Sequence, residues 1–258
     1  MTKESVSIIV PCFNAVQYTK QCIESVLLHT NIKYELILIN NGSTDGTKKY
    51  FDTLKQQLKP NKKLQKVTVI QSIKNLGVAK ALNLGISKSI GKYICYINND
   101  VIVTKDWLKK IVKAAKSDKQ IGAVGTMFNA FDNKKYLKAV EKNKSLIDVV
   151  AQTISIKNAG KIKRAKTIHG LCMFIKKNVF KKVGLFNENF YPCFGEDIEF
   201  CERLKKNGYK LVDATDVFIF HYWNKSVRSK QFNKQNKSIE TVMKSHYKNF
   251  SISKNCKI

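Results

Sequence analysis

Along the first hundred residues, short runs of apolar side chains alternate with stretches of helical period, which predicts successive βαβ units around a mainly parallel sheet. Residues 6–10 are rich in β-branched side chains and stop at Pro11, as expected of a buried strand. Residues 18–30 place Cys22, Ile23, Val26 and Leu27 at helical spacing. Further strands are predicted over 35–39, 67–71 and 93–97, with helices over 47–58 and 78–89. The turn NNGSTDGT (40–47) carries helix-capping residues. The second half is less regular. It predicts a short amphipathic helix over 107–115, strands over 123–128, 170–175 and 217–220, and helices over 177–183 and 197–207. Residues 133–166 hold ten basic and two acidic side chains with weak periodicity, and read as a mobile, solvated loop or lid. In the tail, 224–258, nine basic residues face one acidic residue, and Ile239, Val242 and Met243 are spaced for a helix.

The chain has 258 residues, 43% of them apolar, enough for one larger globular domain or two small ones and too many for a wholly disordered chain. Three prolines, twelve glycines and no internal repeat exclude collagen-like, low-complexity and solenoid architectures. No apolar run is long enough to span a bilayer. The start, MTKESVSIIVPCFN, lacks the layout of a signal peptide, so a cytoplasmic protein is expected. Seven irregularly spaced cysteines with no CxxC fit small buried hydrophobes in a reducing compartment, not a zinc finger or a thioredoxin-like site.

Charge adds a second question. The net charge is +28, and residues 1–100 carry 14 basic and 6 acidic residues against 33 and 13 in 101–258. The second half therefore faces something anionic or is simply lysine-rich. Of the 47 basic residues 44 are lysines, whereas nucleic-acid readers enrich arginine for its bidentate fork. A basic nucleic-acid- or polyanion-binding protein without enzymatic activity is the competing reading. No RNP-like, KH-like or zinc-finger pattern accompanies the charge, so no specific nucleic acid is expected.

In open α/β sheets ligands bind beyond the carboxyl ends of the strands. Four polar clusters fall on that rim, at 11–14, 40–45, 75–80 and 98–100. Neither GxGxxG nor GxxxxGK[ST] is present, so dinucleotide oxidoreductases and P-loop proteins lose their main support. SIIVPCFN (7–14), LILINNGSTDGT (36–47), NLGVAKALNLGI (75–86), YICYINNDV (93–101) and GEDIEFCERL (195–204) resemble, in order, the signatures of glycosyltransferase family 2. The resemblance runs from about residue 5 to residue 223. It implies a GT-A fold: an α/β protein with a Rossmann-like, mainly parallel central sheet flanked by helices. The expected organisation is a GT-A domain over 1–223, with a nucleotide-sugar half (1–105) and a smaller acceptor-side half (106–223), followed by a basic tail.

Family members move a sugar from a nucleotide diphosphate, commonly UDP or dTDP, with Mn²⁺ or Mg²⁺. By resemblance, Pro11 and Phe13 line the base. Asn41 stands where relatives use a carboxylate to read the pyrimidine edge, and an amide can both donate to and accept from that edge. Asn14, Asn75, Lys80, Asn98 and Asn99 complete the expected donor set, with Asn99 near the ribose. NND (98–100) corresponds to the Asp-x-Asp-type metal motif, which makes Asp100 the carboxylate ligand of a hard cation. His221 matches a histidine that completes the metal site in many relatives. Asp197 becomes the general base, deprotonating the acceptor hydroxyl in a single inverting displacement. His169, Glu196 and Trp223 are assigned to the acceptor side. Taken alone, NND is also a β-turn, and Glu196 and Asp197 are also acids favoured at a helix start. The implied acceptor is a hydroxyl on a glycan, a lipid-linked saccharide or a protein. The basic segments would allow peripheral contact with an anionic membrane.

Overall fold

The computed structural model describes residues 5–129, 140 and 143–222. Its first strand, β1 (Val6–Cys12), turns Val6, Ile8 and Val10 to one side and Ile9 to the other. Both sides are covered by helices, so nearly every position must be apolar. The same holds for β2 (Tyr34–Asn41), which is buried along its full length, and for β4 (Tyr93–Ile97). With the half-buried edge strand β3 (Leu64–Ser72), these give a parallel block in the order β3-β2-β1-β4.

The sheet then becomes mixed. β8 (Cys172–Lys176) runs antiparallel to β4 and to β6 (Ile121–Phe128), and β6 pairs in parallel with the long β9 (Lys210–His221). A register shift separates Thr126↔Ala214 from Met127↔Phe218 and divides β9 in two. Its lower part pairs with β7 (Ile162–Arg164), and its upper end pairs antiparallel with the two-residue β5 (Val101–Ile102).

Helices α1 (Val16–His29), α2 (Thr47–Gln57) and α4 (Trp107–Lys116) cover one face, burying Cys22, Ile23, Phe51, Trp107 and Ile111 against Ile8, Leu36 and Cys95. On the other face lie α3 (Val78–Lys88), α6 (Val179–Val183) and α7 (Glu196–Lys206), with Leu82, Phe180, Phe200 and Leu204 against Ile9, Ile37 and Ile94. A third cluster joins α5 (Ile147–Lys157) to the upper end of β9 through Ile147, Val150, Ala151, Phe218, Phe220 and Tyr222.

That third cluster corrects the expectation of a solvated loop over 133–166. Residues 143–166 contain a 3-10 turn (Lys144–Leu146), α5 and β7. Flanking lysines conceal a run at 149–156, VVAQTISI, that carries no charge. The remainder of the expected loop, at 133–139 and 141–142, lies outside the described residues, as do Trp223 and the basic tail. Other differences are smaller. β1 continues through Pro11 to Cys12, although its pairing with β4 stops at Ile9↔Tyr96. A residue without an N–H thus sits where the two strands part and the cleft begins. β9 starts seven residues before the expected strand, and β5 and β7 were not anticipated, being too short to carry a pattern. The six described cysteines are free thiols, all buried except the half-buried Cys193.

Candidate active site

The loops at the carboxyl ends of β1, β2 and β3 are bound to one another. Asn14 and Ala15 adopt left-handed φ values of 56° and 60°. This turn lets Asn14 Oδ1 accept from Thr44 N (2.8 Å) while its own N–H donates to Ser43 Oγ (2.9 Å). Asp45 accepts from Val16 N (2.8 Å), tying the 43–45 turn to the start of α1. Gly42, at φ 79°, has no space for a side chain: a Cβ would lie 2.3 Å from the carbonyl carbon of Lys74. The 42–45 and 74–77 loops therefore pack backbone to backbone.

Several expected donor residues are the struts of this arrangement. Buried Asn41 donates to Asn75 Oδ1 (3.0 Å) and Gly77 O (3.3 Å) and accepts from Leu76 N (2.9 Å). Asn99, also buried, donates to Thr19 Oγ1 (2.8 Å) and Asn14 O (3.2 Å). Lys80 reaches Glu188 at 3.9 Å, an exposed pair of little energetic weight that joins α3 to the loop before α7. Pro11, Phe13 and Asn98 are half-buried on the same rim, and Asn98 N donates to Leu171 O (3.0 Å).

Two of the distant residues meet through β5. The register Val101↔His221 brings the preceding residue, Asp100, against the histidine, and His221 Nε2 lies 3.0 Å from Asp100 Oδ1. Tyr222 N donates to Asp100 O (2.9 Å). From the other side buried Asn129 grips the His221 backbone twice, accepting from its N–H (2.7 Å) and donating to its C=O (2.9 Å). A carboxylate and an imidazole so converged fit two positions of a divalent cation. Among the described residues no group of three or more His, Cys, Asp or Glu side chains could hold a metal, so further ligands would come from water or a bound diphosphate.

Asp197 opens α7 after Phe194 and Gly195, both at positive φ. Its Oδ2 accepts from Gly170 N (2.8 Å) and its Oδ1 from Ile198 N (2.8 Å), which fixes the carboxylate. A Cβ on Gly170 would stand 3.1 Å from Asp197 Oδ2, so the glycine lets the acid come close. Burial pushes the Asp197 carboxyl above the usual aspartate range, and these hydrogen bonds and His169 hold it back. Its neighbour Glu196, 6% exposed, is pushed up to about 8 by burial and by Asp197, so it carries its proton near neutrality. The Tyr96 hydroxyl, buried beside both acids, is pushed up as well, by burial and then by their charge.

His169 links the two halves. Its ring stands edge-on to Phe128 with centroids 5.0 Å apart. Burial lowers its pKa, the charge of Asp197 raises it, and His221 lowers it. Since Asn98 N bonds Leu171 O and Gly170 N bonds Asp197, one short segment, 169–171, connects the NND turn to the start of α7. These contacts gather Asp100, His221, His169 and Asp197 around the 98–100 turn and the start of α7. Sequence reasoning missed Asn129, Gly170 and Tyr96. A lone Asn after a strand reads as a turn residue, and the tyrosine reads as part of an apolar strand.

A parallel block of strands continued into a mixed sheet, with helices on both faces, is the architecture of the GT-A glycosyltransferases. Residues 7–184 match the model of glycosyl transferase family 2, and the chain belongs to that family. An uncharacterised glycosyltransferase of Haemophilus influenzae is 28% identical over 211 residues, 79% of this chain and 61% of that protein. Two solved structures share the fold. The mannosyltransferase PcManGT from Pyrobaculum calidifontis, in complex with GDP-Man and Mn²⁺, superposes with a TM-score of 0.65 at 18% identity, over 90% of this chain and 60% of that one. GalNAc-T7 with UDP, GalNAc and Mn²⁺ gives 0.64 at 16% identity, over 84% and 44%. The chain spans about three fifths of the H. influenzae protein's length.

Proposed function

We propose that the protein is an inverting glycosyltransferase that moves a sugar from a nucleotide diphosphate, a UDP- or dTDP-sugar, to a hydroxyl acceptor. The observation that carries this reading is the contiguity of Asp100, His221, His169 and Asp197 in one cleft at the carboxyl end of the parallel strands. Asp197, held by two backbone N–H groups, is oriented to accept the acceptor's proton as that oxygen attacks the anomeric carbon. The new glycosidic C–O bond forms as the bond to the diphosphate breaks, on the opposite face, so configuration inverts. Partial burial and the elevated proton affinity of Asp197 suit it to this base role.

Asp100 and His221 would hold Mn²⁺ or Mg²⁺ together with the donor's phosphates. When bound, the cation supplies electrostatic stabilisation of the departing diphosphate. Pro11 and Phe13 offer an apolar wall for the base, while Asn14, Asn41, Asn75 and Asn99 keep the surrounding loops in place. Asn41 can serve as a base reader only by sharing its amide with the 75–77 turn. Lys80, Asn98, His169 and Glu196 complete the two walls. Mn²⁺ accompanies the nucleotide in both related structures, which supports the cofactor assignment.

The acceptor is a hydroxyl of a glycan, a lipid-linked saccharide or a protein, in bacterial cell-surface glycan or glycoprotein synthesis on the cytoplasmic side. No helix among the described residues is long and apolar enough to cross a membrane. The test is a thermal-shift panel of UDP, dTDP and GDP with and without Mn²⁺, followed by transfer or hydrolysis assays with the sugar donors. A metal-dependent rise for a pyrimidine diphosphate is expected, and a panel in which no nucleotide stabilises the protein would sink the reading.

A further inference from the structure

A second concave site lies at the opposite end of the sheet. Tyr93 begins β4 and pairs with Lys176 at the end of β8, whereas Asp100 follows the far end of β4. Five strand residues, roughly 15 Å, separate the two ends. Around Tyr93 and Lys176 is a cavity of about 770 Å³, floored by Tyr93, Ile86 and Phe180. Its walls carry Lys92, Lys116, Lys119, Lys176, Lys177 and Lys181, and no carboxylate. Lysines make up about one in six residues of the chain but six of the eleven lining this cavity, so the lysine-rich composition alone does not account for it.

The walls are built. Lys177 Nζ donates to Ser89 O (2.5 Å), and Lys176 Nζ donates to Asp118 O (3.0 Å) and Lys119 O (3.2 Å), which fixes two of the lining ammonium groups. The 89–91 turn at its edge is itself anchored, because buried Glu35 accepts from Ile90 N (2.6 Å) and Gly91 N (3.2 Å). The adjacent carboxylate, Asp118, is engaged by Lys210 at 2.8 Å. Lys92, Lys119 and Lys181 are exposed around the cavity. Like charges lining one cavity repel, and a multivalent anion relieves the repulsion. Burial lowers the proton affinity of Lys176, Asp118 raises it and Lys92 lowers it further, and a bound anion would raise it.

We propose that this cavity is a second ligand site, separate from the transfer cleft, for a soluble, multiply charged phosphate compound. A lysine ammonium is a compact charge suited to phosphate oxygens. The volume is that of a small-molecule pocket. A flat bilayer would meet only the rim amines, so the concavity favours a discrete ligand over a lipid surface. The site does not depend on the transferase reading, and its test uses no transfer assay.

Inorganic pyrophosphate is titrated calorimetrically into the full chain at low ionic strength with EDTA, which silences metal-dependent binding in the transfer cleft. The comparison is the triple variant Lys92→Ala, Lys119→Ala, Lys181→Ala, whose altered amines sit on the surface and whose melting curve is expected to match. One site is expected, weakened at least tenfold in the variant and also by added salt. Equal binding by both proteins overturns the proposal. Flotation with vesicles of equal parts phosphatidylcholine and phosphatidylglycerol is the second arm. Capture that needs the same three lysines, with no pyrophosphate binding by the unaltered protein, overturns the soluble ligand in favour of a lipid headgroup. Flotation equal in the two proteins, alongside lysine-dependent pyrophosphate binding, supports the cavity as drawn.

Discussion

The parallel half, β1 to β4, and the mixed half, β5 to β9, build one sheet by different means. In the first, a helix links each strand to the next in sequence, with α3 carrying the chain from β3 across to β4 on the far side of β1, and the loops at the strand ends are bound to one another by asparagine and aspartate side chains such as Asn14, Asn41 and Asp45. In the second, partners come from far apart: β5 meets β9 across more than a hundred residues, and β7 is held only along one side of β9. In the proposed function the first half would provide a prepared surface for the donor. The second positions the groups that would do the chemistry, His221 and Asp197, and depends on long-range pairing to do so.

The largest test of that division is Asp197→Asn. The amide oxygen can accept from only one of Gly170 N and Ile198 N and cannot take a proton, so the transfer rate should drop by ~10²–10⁴-fold in a protein that still folds at the assay temperature. In the unaltered protein, kcat/KM should fall as pH drops through the elevated Asp197 value, at a higher pH than an ordinary aspartate would give. A variant that keeps its full rate would remove Asp197 from the base role.

Next comes the packing of the second half. Phe220→Ala, at a side chain 3% exposed in the cluster under α5, should cost ~3–5 kcal/mol of stability. Val149→Ser, on the outer side of α5 at 57% exposure, should stay within ~0.5 kcal/mol. Denaturant melts of the two variants check this pair, and equal losses would mean that α5 is not docked as described.

Asn129→Ala removes both hydrogen bonds to the His221 backbone, for an expected ~2–4 kcal/mol. It should also raise the Mn²⁺ concentration needed for half-maximal nucleotide binding, a readout that plain destabilisation of the distant β1–β3 loops would not move.

The effect at Glu196 is nearly absent at pH 5 and emerges only as pH rises. Its folded pKa, about 8, lies above the unfolded value near 4.5, so the folded state holds the extra proton between them. Stability is therefore full below the unfolded value and declines as pH rises toward 8. Glu196→Gln mimics the protonated side chain and should flatten that decline, melting close to the unaltered protein at pH 5 and above it at pH 9. Identical pH profiles would refute the buried, protonated glutamate.

The same contrast explains what was legible in the sequence. Strands buried on both faces announce themselves as apolar runs, so β1, β2 and β4 were evident, and five ordered motifs marked the rim. β5 has only two residues and exists because β9 accepts it, so no local pattern could announce it. α5 was hidden because charge was averaged over a segment whose middle has none. The roles of Asn41 and Asn99 were only half visible: resemblance puts them beside the donor, while their hydrogen bonds hold the loops that would surround it.

Asn129 has one further effect. Backbone pairing of β6 with β9 ends at Phe128↔Ile219, yet the hydrogen-bonding edge of β9 continues to His221. The carboxamide, having the same donor and acceptor as a peptide group, stands in for the next rung of the ladder. The main chain can then leave the sheet one step early without abandoning the strand beside it, and the histidine keeps its footing where the neighbouring strand has already turned away.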